Sequence, residues 1–107
     1  MNKIKEILGY QIVFKTLTWG AKQEALRKAT EWRRIGGGDI EPDVDPWKLN
    51  DYMLLYSVEK WNIVDDDGKP VPLSVDGLHT LSPRLVEALI IEMHRLNGLS
   101  LEERKKS

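Results

Sequence analysis

The stretch Trp61–Leu73, WNIVDDDGKPVPL, sets three carboxylates side by side and closes them with a glycine. Acids packed this closely could hold a divalent cation or share proton-transfer work. A calcium loop of the EF-hand kind needs oxygen ligands at alternate positions, a glycine at the sixth and a bidentate Glu at the twelfth. With Gly68 as the sixth, Asp65 and Asp67 fall on the third and fifth, but Ile63 occupies the first and Ser74 the twelfth. Both anchoring ligands are missing, which excludes a regular EF-hand. Asp67-Gly68 is a common turn dipeptide, and Pro70 and Pro72 keep the chain beyond it extended. The stretch therefore reads as a turn whose acids stay in water.

Other chemistry finds less support. Asp39, Glu41, Asp43 and Asp45 form a second acidic stretch, but they sit among Gly and Pro, where acids are ordinarily solvated. His79 and His94 are fifteen positions apart and belong to no HExxH pair that would seat zinc. The chain has no cysteine, so disulfides, thiolate catalysis and Cys-ligated zinc are excluded. No serine lies in a G-x-S-x-G turn. Gly36–Gly38 lacks the preceding strand and following Lys-Ser/Thr of a P-loop and reads as a flexible connector. No catalytic, cofactor or metal residues are assigned.

The elements that would position these groups are those of one small domain spanning 1–107. Apolar residues make up 41% and charged residues 31%, an ordinary soluble composition. A net charge of −1 supplies no field that would draw the chain to nucleic acid or membrane. Lys22, Arg27, Lys28, Arg33 and Arg34 gather on one segment, but Glu24 and Glu31 interrupt them and no recognition-helix motif accompanies them. No apolar run is long enough to span a membrane, and the start, MNKIKEIL, is too short and polar for a signal peptide.

Tyr10–Leu17, YQIVFKTL, is β-branched and aromatic, which predicts a strand with Tyr10, Ile12 and Phe14 on one face. With the preceding NKIKEIL it forms a short N-terminal hairpin or strand over 1–18. A helical core over 19–97 and a charged tail over 98–107 follow. Thr18 caps a first helix over about 21–35, where Ala25, Ala29 and Trp32 recur at helical spacing beside Leu26. DIEPDVD reads as an acidic loop. Asp45 with Pro46 starts a second helix over about 46–61, apolar around most of its circumference and so central. Ser82 with Pro83 starts a third over about 83–97, with Leu85, Val86, Leu89, Ile90, Met93 and Leu96 on one face. Ile91 lies opposite that face, open to solvent or to a partner. The fold class expected is α+β, mainly helical, with three main helices. Trp19, Trp32, Trp47 and Trp61 read as core anchors, with the alternative that at least one lies on a partner surface.

The order of these features resembles the small tail assembly chaperones of long-tailed phages. The resemblance rests on LGYQIVFKTLTWG, the helix with ALRKATEW, the segment DVDPWKLNDYMLLYSVEKWNIVDDDGKPVPLS, and LSPRLVEALIIEMHRLN, and covers roughly residues 8–97. It implies a non-enzymatic helper, without cofactor, working in the host bacterial cytoplasm. Such a helper binds tape measure protein, with tail tube protein a further candidate, during tail morphogenesis. Trp19, Trp32, Tyr56 and Ile91 are the surface anchors expected if interaction is the function, and a homo-oligomer is compatible with them. Two other readings stay open: a structural virion or head–tail connector subunit, and a small metal-binding or metal-dependent protein using the acidic loops.

Overall fold

Residues Lys3–Ile7 (β1) and Tyr10–Phe14 (β2) pair antiparallel, with Lys3 opposite Phe14 and Ile7 opposite Tyr10. Leu8 and Gly9 between them both take positive φ, 49° and 89°, as a two-residue hairpin turn requires. The β2 face predicted from the sequence is the one that faces the core: Ile12 and Phe14 are buried. A computed structural model carries this description, which covers residues 2–97. The charged tail over 98–107 lies outside the described residues.

Thr18 caps the first helix (α1, Trp19–Ala29), its Oγ1 accepting from the Ala21 N–H at 3.1 Å. Ala25 and Ala29 are buried, and their small side chains let α1 approach the second helix (α2, Pro46–Ser57) closely. Asp45 caps α2, accepting from the N–H groups of Trp47 at 2.9 Å and Lys48 at 3.3 Å. Met53 and Leu54 of α2 enter the core, and α2 also meets the two helices that follow, Val75–His79 (α3) and Pro83–Leu96 (α4). Ser82 caps α4, and Leu85, Leu89 and Met93 form its buried stripe. Among the described residues, no helix is long and apolar enough to cross a membrane.

The expectation of a mainly helical chain fails. Three strands replace expected helix or loop, giving, among the described residues, two antiparallel sheets alongside four α-helices. The first helix stops at Ala29 instead of running to about 35. Thr30 is β-branched, and its Oγ1 donates to the Leu26 carbonyl at 2.6 Å. The chain then continues as a strand (β3, Thr30–Arg34). The acidic segment is its partner (β4, Ile40–Val44), with Thr30 opposite Val44 and Arg34 opposite Ile40. Gly36–Gly38 is the turn of this second hairpin, not a loose connector: Gly37 and Gly38 take φ of 84° and 87°, and the Ile35 N–H donates to the Asp39 carbonyl at 2.9 Å.

The second helix likewise ends at Ser57 instead of Trp61. The buried Ser57 donates its hydroxyl hydrogen to the Met53 carbonyl at 2.8 Å. Val58–Trp61 (β5) then pairs with β2 across a register shift at Val13/Phe14, giving the sheet order β1-β2-β5. In both places a β-branched residue opens a strand, paired across a hairpin for Thr30 and with the distant β2 for Val58, and ladder bonds replace helical ones.

Candidate interaction surface

The β3–β4 hairpin is amphipathic. Residues directly opposite in a ladder share a face. Thr30, Trp32 and Arg34 of β3 therefore lie on one face with Val44, Pro42 and Ile40 of β4. Glu31 and Arg33 lie on the other, with Asp43 and Glu41. That second face is neutralised locally: Arg33 Nε stands 3.0 Å from Asp43 Oδ2, and Lys48 Nζ of α2 stands 2.9 Å from Glu31 Oε1. These cations offset the like-charged pair Glu31 and Asp43, which would otherwise repel across the strands. The neighbouring Glu31 carboxylate raises the Lys48 ammonium above its usual range.

The first face has no such partner. Trp32 is 69% exposed, Ile40 59% and Val44 41%. Beyond each other, the strands of this hairpin make their main contact with α1. Where they meet it, Gln23, Leu26 and Arg27 of α1 join Thr30, Trp32, Pro42 and Val44 around an open groove of about 460 Å³. Leu26 itself is 44% exposed. At 100° per residue, Trp19, Gln23 and Leu26 lie within one narrow stripe of α1, which sets Trp19 on the same side of the helix as the groove with the polar Gln23 between them. Lys22 Nζ flanks this stripe, 5.9 Å from the centre of the Trp19 ring.

Three of the four tryptophans are therefore open to solvent, Trp47 most of all at 79%, against the reading of them as core anchors. Trp61 alone is built in, its Nε1–H donating to the Val71 carbonyl at 2.8 Å. Of the anchors proposed from the sequence, Trp32 lines the groove and Trp19 lies exposed on the same stripe of α1. Ile91 is exposed on the outer side of α4, apart from that stripe. Tyr56 is half-buried against the core, where its hydroxyl accepts from Lys28 Nζ at 2.8 Å. The same ammonium stands 5.5 Å from the Tyr52 ring, and the Tyr56 contact raises it above its usual range. Sequence reasoning missed Leu26, Ile40, Pro42 and Val44 as surface. The alternation in IEPDV was the signal available, hidden by reading the segment as an acidic loop.

The acidic stretch Asp65–Asp67 is a closed turn. Asp65 Oδ1 accepts from the N–H groups of Asp67 and Lys69, each at 2.9 Å, and the Asp65 N–H donates to the Lys69 carbonyl. Gly68 takes φ of 78° there, and Val71 N–H reaches back to the Ile63 carbonyl. The best-placed oxygen of the cluster thus serves the backbone. Among the described residues no group of three His, Asp or Glu side chains is placed to share a metal ion. His79 Nε2 lies 2.7 Å from Asp51 Oδ2, tying α3 to α2.

No family model, curated protein or solved structure matches the chain.

Proposed function

We propose that this protein is a non-enzymatic assembly chaperone of long-tailed phages, working in the host bacterial cytoplasm. It holds apolar segments of tape measure protein, and in the same way tail tube protein, while the tail polymerises. The observation that supports this reading is the exposed apolar side chains of Leu26, Trp32, Pro42 and Val44 around one open groove, with Trp19 further along α1 and Ile40 further along β4. Leaving them in water is costly, because each indole alone can bury roughly 150–250 Å². Contiguous apolar patches of more than a few hundred Å² on a small domain mark contacts with other chains. Trp is the residue type most enriched where such contacts concentrate their energy.

The shape suits a helix rather than a small molecule. The groove is open, and the α1 stripe extends it in one direction, as an amphipathic helix laid in a groove demands. Lys22 borders the stripe, while Arg27 at the groove is already paired with Glu24, so an acidic residue of a client fits best at the Lys22 end. The test is co-expression with tape measure protein. The reading predicts a higher soluble fraction of the client, co-purification of the two chains, and absence of this chain from mature particles. No gain in solubility together with no co-purification sinks it, and retention in mature particles favours a structural virion subunit instead.

A further inference from the structure

The β3–β4 hairpin has two outer edges, and they are not equivalent. The Ile35 N–H donates to the Asp39 carbonyl and the Asp45 N–H to the Ala29 carbonyl, each at 2.9 Å. Antiparallel ladder bonds alternate along a pair. With Glu31 opposite Asp43 and Arg33 opposite Glu41, these odd-numbered residues use their backbone groups inside the hairpin. Trp32 and Arg34 of β3 therefore turn their N–H and C=O groups outward, as do Ile40 and Val44 of β4, with Pro42 between them. Pro42 has no N–H to offer, which closes the β4 edge to strand addition. The β3 edge carries neither proline nor bulge, and Glu31–Arg34 is exposed throughout. A two-stranded hairpin standing largely alone is marginal in water, and a further strand is what would complete it.

We propose that this edge pairs with the same edge of a second copy of the chain, antiparallel about a two-fold axis at Trp32. The occupant is chosen by charge. In this register Trp32 faces the second copy's Trp32, and the two exchange the backbone bonds that each points outward. Glu31 then faces the second copy's Arg33, and Arg33 its Glu31, so the strand is complementary to itself. Sliding by two residues in one direction sets Arg33 against Arg33; in the other it sets Glu31 against Glu31. Like charges directly opposite are unfavourable, so only the register centred on Trp32 satisfies both the hydrogen-bond parity and the charges. Asp43, which holds Arg33, and Lys48, which holds Glu31, remain on the same face and extend the network. The product is a four-stranded sheet ordered β4-β3-β3-β4. Its other face brings together the two copies of Trp32, Ile40, Pro42 and Val44, with Thr30 and Arg34 of each copy flanking the Trp32 pair. Dimerisation through this edge does not depend on what that surface binds.

The test is sedimentation equilibrium of the full chain, with Glu31→Arg and Arg33→Glu made separately. Each variant sets two like-charged pairs across the axis, and its dimer dissociation constant is expected to rise about tenfold or more. An equimolar mixture of the two variants restores every opposite-charge pair and is expected to restore dimers. A wild-type chain that stays monomeric up to its solubility limit overturns the proposal. So do single variants that dimerise as wild type, or a mixture no better than its components. Should either variant lose its circular dichroism spectrum, Glu31→Cys mixed with Arg33→Cys replaces it, since the natural chain has no cysteine. Mild oxidation should then give a cross-linked pair, and its failure to form overturns the register.

Discussion

Trp32 and Pro42 stand directly opposite each other across the β3–β4 ladder, and the indole is still 69% exposed. One residue presents a large apolar face, and the other keeps its own strand edge from pairing. The exposed indole would be a liability on a free monomer and is useful on a surface made to be covered, whereas Pro42 guards its own strand edge against unwanted pairing.

Trp32→Ala should leave the fold almost unchanged, because the ring is outside the core. A melt in urea is expected to shift by no more than about 0.5 kcal/mol, whereas Leu54→Ala, at a fully buried position on α2, should cost roughly 2–5 kcal/mol. Comparable losses from the two variants would place Trp32 in the core and remove the surface.

Gly77 is the glycine whose lack of a side chain the packing demands. A Cβ built there would lie 2.0 Å from the Pro72 carbonyl oxygen, so α3 seats directly on the extended segment behind it. Gly77→Ala is expected to destabilise the protein by roughly 1–3 kcal/mol, since backbone, not a flexible side chain, is in the way. An unchanged melting temperature would show that α3 is not seated there.

How much of this was legible in the sequence depends on how local the signal was. Thr18, Asp45 and Ser82 were readable as caps because a side chain satisfies N–H groups two or three residues away. Ile12 and Phe14 were readable as inward-facing because alternation is local too. Thr30–Arg34 was not, since Ala25, Ala29 and Trp32 also fit a helical period. What decides for strand is Ile40–Val44, reached only through a turn that needs two glycines at positive φ. Val58–Trp61 was lost for the same reason, its partner β2 lying more than forty residues earlier. The exposed surface inherits this: Trp19 and Trp32 could be named singly, while the face Trp32 shares with Ile40, Pro42 and Val44 follows from pairing alone.

Glu92 gives the fold a pH dependence whose direction can be stated. Its carboxylate is held below the ordinary value of 4.5 chiefly by hydrogen bonds from Arg95 and by the charges of Arg95, Lys5 and Lys3. Arg95 Nε donates at 3.0 Å, and Lys5 Nζ of β1 stands 3.9 Å away. A lowered folded pKa means the contribution is complete above pH 4.5 and is lost as pH falls through the folded value. Glu92→Gln should therefore cost up to about 1 kcal/mol at neutral pH, the screened worth of such a pair. The two proteins should converge in stability as the medium becomes more acid than pH 4.5. A gap that widens in acid would contradict the assignment.

Asp65 is predicted to matter as a turn acceptor and not as a ligand. Asp65→Ala removes the acceptor of two backbone N–H groups and should lower stability by about 1 kcal/mol. Calcium, magnesium or a chelator should leave the thermal midpoint of the natural chain where it was. A calcium-dependent rise in the midpoint that Asp65→Ala and Asp67→Ala abolish would restore the metal reading.

The central claim is that the Trp19–Leu26–Trp32 surface holds another chain. It is tested most directly by titrating tape measure protein segments against the natural protein and against Trp19→Ala/Trp32→Ala. The account predicts saturable binding by the natural chain and a loss of about a hundredfold or more in affinity for the double variant, whose fold stays intact. Equal affinity of the two proteins, or no binding by the natural chain, would contradict it.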